Sequence, residues 1–126
     1  MFAIEVTSSF HASHALRLPT GNIEPSHSHH FHATVKLASE QLDALETVID
    51  FHLIEQLLNE ILTPWQNKNL NTLDPFRTQY NPTAERIAQH IGERLQAALT
   101  KYSARLVEVR LTEAPQCIAI WTPDHD

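Results

Sequence analysis

"EPSHSHHFHATV", residues 24–35, holds four histidines within six positions: His27, His29, His30 and His32. Side chains two apart on a β-strand share a face. A strand here sets His27 beside His29 and sends His30 and His32 to the other side. Upstream, Ile4, Val6, Phe10 and Ala12 fall on one parity with His14 continuing it, as in a half-buried strand. If the two strands pair, His14 lies opposite the His27/His29 pair. Three neutral imidazoles meeting at one point suit a divalent metal, and zinc takes nitrogen ligands at roughly 2.0–2.1 Å. No cysteine lies nearby to complete the shell, so such a site keeps an open position. A second reading is that His-x-His at a strand edge is merely exposed and takes up nickel or zinc adventitiously. Spacing alone leaves both readings open. His30, His32 and His11 are expected to face solvent or a subunit contact. His52, His90 and His125 fall in helical or terminal contexts without a special role.

The rest of the chain supplies the frame. Its 126 residues match the usual size of one domain, 1–126. Residues 18–26 contain two prolines and a glycine and read as a loop. Asp50 can cap a helix whose apolar residues recur at 53, 54, 57, 58, 61 and 62, with Pro64 ending it. Residues 67–82 look irregular. A second helix is expected near Pro82 with Asn81 as cap and Ile87, Ile91, Leu95 and Ala98 on one face. Val107, Val109 and Leu111 alternate as a third strand, and "CIAIW" (117–121) is a fourth. The order β-β-α-α-β-β predicts an α+β fold, an antiparallel sheet with both helices on one face.

Composition narrows function. A net charge of -6 argues against nucleic-acid binding. No apolar run approaches the roughly 18–20 residues that span a bilayer, and the first residues lack a signal-peptide pattern. The only cysteine, Cys117, excludes an intrachain disulfide and reads as a small buried hydrophobe. A soluble, cytoplasmic protein is expected. Charged residues are 19%, low for a monomer, which favours an oligomer.

"FHASH" (10–14) and "HSHHFHATV" (27–35) resemble the Phe-x-Ala-x-His and His-Gly-His-x-aromatic patterns of the 6-pyruvoyl-tetrahydropterin synthase / 6-carboxy-tetrahydropterin synthase family, the latter a queuosine-pathway enzyme. "VIDF" (48–51), "LN" (70–71), "NPTAE" (81–85), "LTEA" (111–114) and "CIAIW" continue the match in order. The resemblance implies the tunnelling fold (T-fold), whose subunits close into a hexameric or tetrameric barrel. It implies zinc held by His14, His27 and His29. It places Glu113 as anchor of a pterin ring, because an ionised carboxylate accepts two adjacent N–H donors. Thr83 and Glu85 match the segment bordering the pterin pocket; Glu85 equally suits a helix first turn.

The family's catalytic cysteine and Asp-His pair are missing. Gly21, Ile23 and Glu24 are the counterparts of the cysteine, and Trp65, Gln66 and Asn67 occupy the Leu-Asp-His positions. None of those last three is an ordinary acid–base group at neutral pH. Glu24 is one replacement base the resemblance allows, favouring side-chain cleavage over redox rearrangement, and His30, His32 or His11 brought round by the loop is another. Ser28 stands where the family has glycine. For the triphosphate of the family substrate, Arg17, Lys68 and Arg77 are the nearest cations. The expected function is a zinc-dependent lyase acting on 7,8-dihydroneopterin triphosphate or a related pterin. The alternatives are a non-catalytic or reassigned pterin binder, and a structural oligomer whose histidines take up metal loosely.

Overall fold

Alternation of apolar and polar residues produces two long antiparallel strands, β1 (Phe2–His14) and β2 (His27–Ser39). The computed structural model describes residues 1–124; His125 lies outside them. The chain continues through helix α1 (Phe51–Leu62), a two-residue strand β3 (Lys68–Asn69), helix α2 (Ala84–Ala98) and strands β4 (Arg105–Ala114) and β5 (Cys117–Trp121). Strand order is β3-β1-β2-β4-β5. The expected β-β-α-α-β-β order holds for the main elements. The sheet is mixed rather than antiparallel, because β3 runs parallel to β1. Two residues in an asparagine-rich segment carry no alternation that would reveal them.

Each helix starts on a polar cap. Asp50 accepts a hydrogen bond from the His52 amide at 2.9 Å, as expected. Thr83, not Asn81, caps α2 by accepting from the Arg86 amide at 3.1 Å. The Asn81 side chain is already bonded to the Arg17 backbone. Pro64 follows α1 in a short 3-10 turn, Thr63–Trp65, where its missing N–H costs nothing. One core joins Ile54 and Leu58 of α1 and Ile87, Ile91 and Leu95 of α2 to one face of the sheet. On that face Phe10 stacks on Phe31 at 4.9 Å, in register across β1 and β2. Trp65 closes over Phe10 at 5.4 Å.

Three expectations about packing are corrected. Val107 is only half-buried, and Leu106 takes the core position. Lys36 pairs with Glu108 and Leu37 with Leu106, so Val107 is the unpaired residue of a β-bulge that shifts the phase. Ala98 is exposed and Leu99, one residue on, is buried. Cys117 is exposed, because β5 is an edge strand that also leaves Ile118 and Ile120 in solvent.

Gly92 lets α2 approach the sheet. A Cβ built there would collide with the six-membered ring of Trp121. Replacing Gly92 by Ala is therefore expected to destabilise the protein by about 1–3 kcal/mol, against the gain in helix propensity. Denaturant unfolding measures this; an unchanged midpoint would show that α2 and β5 are not in close contact.

Candidate metal centre

His14, His27 and His29 converge because the β1–β2 register pairs His14 with His27 and Ala12 with His29. All three project to the helix-covered face, at the end of the aromatic core. The ring centroids lie 4.5, 5.2 and 4.7 Å apart for the pairs 14–27, 14–29 and 27–29. One ligand atom from each lies within 4.8 Å of the others. Phe31 touches both His14 and His29 at 5.5 Å, so an apolar wall backs the cluster.

Each ring is oriented by a neighbour. His14 is buried and sets Nδ1 2.7 Å from the Pro82 carbonyl. A carbonyl only accepts, so Nδ1 carries the proton and Nε2 of the neutral ring holds a lone pair. That Nε2 is buried without a hydrogen-bond partner and lies 3.3 Å from Glu113 Oε1, itself an acceptor. Two acceptors facing one another call for a cation between them, a proton or a metal ion. On His27, Nε2 lies 3.0 Å from Glu24 Oε1 and donates to it, turning Nδ1 toward His29 Nε2 at 2.7 Å. The donor set and the orphaned nitrogen fit a divalent metal. Burial holds the His29 imidazole below its usual pKa, with Glu113 opposing.

Glu24 also accepts the Leu16 amide at 3.0 Å. That bond first, and the contact with His27 second, hold its carboxyl below the usual glutamate range. Glu24 thereby ties the 18–26 loop to the end of β1 beside the cluster. Ser28 sits in regular strand opposite Ser13, without positive φ, so no glycine is needed there. Glu113 lines two hollows. One, of about 270 Å³, adds Ala84, Glu85, Cys117 and Ile118. The other, of about 400 Å³, adds His29, His30, His32 and Thr112. It opens where β4 leaves β2 after the last pair, His32 with Thr112. Thr83 follows the carbonyl that holds His14 and caps α2 with its hydroxyl.

The residues at the Leu-Asp-His positions, and His30 and His32, stand apart from the cluster. Trp65 is buried in the core. Gln66 accepts from the His11 amide and the Asn67 amide donates to the His11 carbonyl, so this segment clamps β1. His30 stacks on His32 at 4.7 Å on the opposite, exposed face. Two asparagines hold the backbone in a way not read from the sequence. The Asn71 side chain bridges the amide and carbonyl of Ala15, and Asn81 does the same for Arg17. An asparagine amide has one donor and one acceptor side, like a peptide group. These two hold the chain beyond His14 as a neighbouring strand would. They stand in "LN" and "NPTAE", the signal that pointed to them.

A profile of the 6-pyruvoyl tetrahydropterin synthase family matches residues 3–124. The chain belongs to that family. No curated protein matches the sequence. Among solved structures, Caenorhabditis elegans 6-pyruvoyl tetrahydropterin synthase aligns with a TM-score of 0.85 at 22% identity, covering 98% of this chain and 96% of that one. The Plasmodium vivax synthase aligns with a TM-score of 0.76 at 16% identity, covering 99% and 100%. A variant of the latter, with a glutamate described as a catalytic residue replaced by alanine, aligns at 0.75 and 14% over 99% and 100%. The shared fold is the T-fold that the motif order implies. No helix among the described residues is long and apolar enough to cross a membrane.

Two outcomes follow. Replacing His27 by Ala is expected to lower affinity for a divalent cation by more than about 100-fold, read by equilibrium titration; unchanged affinity would exclude the trio. Protons compete with metal for the imidazoles. Burial makes His29 harder to protonate than a free imidazole, and binding is expected to weaken as the pH is lowered. Binding that strengthens on acidification would contradict this.

Proposed function

We propose that the protein is a zinc-dependent lyase acting on 7,8-dihydroneopterin triphosphate or a related pterin, working as a homo-oligomer with sites between subunits. The observation that supports this most is the buried Nε2 of His14, unpartnered beside His27, His29 and Glu113. His14, His27 and His29 would hold zinc, and zinc bound there would acidify the side-chain hydroxyls of a pterin. Glu113 anchors the ring, and Thr83 and Glu85 border it.

Glu24 is the base. It is ionised at neutral pH, given its lowered pKa, and stands at the cluster's rim. A carboxylate this weakly basic removes a proton only from a hydroxyl that a neighbouring cation has already acidified. A glutamate is the catalytic residue named for the P. vivax relative, which supports a carboxylate in this role. A base of this kind suits cleavage of the side chain. The second reading, a pterin binder without turnover, is favoured by one observation. Trp65, Gln66 and Asn67 replace the proton-relay pair and are fixed in packing and backbone bonds.

Glu24→Gln keeps an acceptor for the Leu16 amide and removes the base. Product formation by zinc-loaded protein is expected to fall by about 10²–10⁴-fold while metal content is retained. Full activity in the variant would remove Glu24 from the chemistry. Absence of any product from the wild type, with pterin bound, would favour the binder.

A further inference from the structure

We propose that His11, His30 and His32 form a second site for a divalent transition-metal ion, on the exposed face of the sheet and separate from the first cluster. The register that builds the first cluster builds this one as well. There, a His-x-His pair on β2, His27 and His29, meets His14, which lies opposite the first of the two. Three residues along β2, His30 and His32 repeat the pair, and His11 lies opposite His30. An odd shift turns side chains to the other face of a strand. The same constellation therefore recurs back to back with the first.

Imidazoles bonded to one zinc at roughly 2.0–2.1 Å in a tetrahedral shell have ring centroids about 5 Å apart. His30 and His32 lie 4.7 Å apart, already at that spacing. His11 and His30 lie 6.5 Å apart. His11 and His32 are diagonal neighbours across the strands, within reach of aromatic side chains. All three residues are exposed, so turning their rings about the side-chain torsions to bring the lone pairs together displaces no core atom. The backbone beneath them is fixed. The His11 amide donates to Gln66 Oε1 at 2.9 Å, and its carbonyl accepts from the Asn67 amide at 2.6 Å. At His32, β2 is paired on both sides, with Ser9 and with Thr112. The neighbours on this face, Ser9, Ser13, Ser28 and Thr112, are short and uncharged, and leave room for an ion and its waters. An all-imidazole set selects zinc, nickel or copper over magnesium or calcium, which demand oxygen ligands.

The two sites differ in how their rings are held. Among the described residues, the side-chain hydrogen bonds made by histidine all belong to His14, His27 and His29. The Pro82 carbonyl orients His14 and Glu24 orients His27; the exposed trio has no such partners. Loss of one outer partner costs about 10–100-fold in metal affinity, so a site without two of them is at least about 100-fold weaker. It fills only after the first, and protein dialysed free of loosely held metal keeps one ion per chain.

The test is equilibrium dialysis of tag-free, full-length protein, already carrying one zinc per chain, against further zinc in excess magnesium at fixed pH, with metal quantification. A second equivalent is expected to bind at least about 100-fold more weakly than the first. A variant combining His30→Ala and His32→Ala is expected to lose the second equivalent and keep the first, and its retained zinc shows that it is folded. His27→Ala is expected to do the reverse. His11→Ala is expected to weaken the second equivalent by at least about tenfold. No second equivalent up to about 1 mM free zinc, or one displaced by magnesium, would overturn the proposal. So would a second equivalent that survives in the double variant, or one whose affinity is unchanged by His11→Ala.

Discussion

The antiparallel register of β1 against β2 is the constraint on which the site depends. It sets Phe10 against Phe31 and, four residues along β1, His14 against His27. A slip of one residue would turn every core side chain to the open face and separate the three imidazoles. Burial of Phe10, Phe31, Val35 and Leu37 makes such a slip costly. The hydrophobic core therefore fixes the geometry of a polar site at its own edge. Packing and function are linked through one ladder of hydrogen bonds.

Around that ladder, polar side chains replace missing secondary structure. Beyond His14 the regular ladder gives way to an isolated bridge between Arg17 and Ile23, and Asn71 and Asn81 supply further bonds of the kind a strand would have made. Glu24 supplies another from the loop, and the same oxygen steers His27. The Pro82 carbonyl steers His14. Rings held this way keep their lone pairs inward, which is what a site must do before any cation arrives. The result is a cluster rich in lone pairs and carboxylates, a balance that suits a cation.

Much of this was legible in the sequence, where side-chain period and residue chemistry act locally. The alternation in β1 and β2 placed the three histidines together, and Asp50 capped α1 as its position suggested. What the sequence hid was tertiary. Asn81 looked like a helix cap until its amide was seen bonded to Arg17, leaving Thr83 to cap. The bulge at Val107 moved Leu106 into the core, and no local pattern announces an inserted residue. Cys117 was expected to be buried, yet burial on an edge strand depends on what covers the edge. Arg17 looked available for phosphate, whereas its guanidinium holds two carbonyls of a segment roughly sixty residues away in sequence.

Zinc K-edge X-ray absorption on the purified protein, paired with metal quantification, probes the cluster most directly. One zinc per chain bonded to three imidazole nitrogens at about 2.0–2.1 Å, with an oxygen completing the shell, is the predicted result. A metal-free protein that takes up no zinc, or zinc surrounded by oxygens alone, would contradict the site.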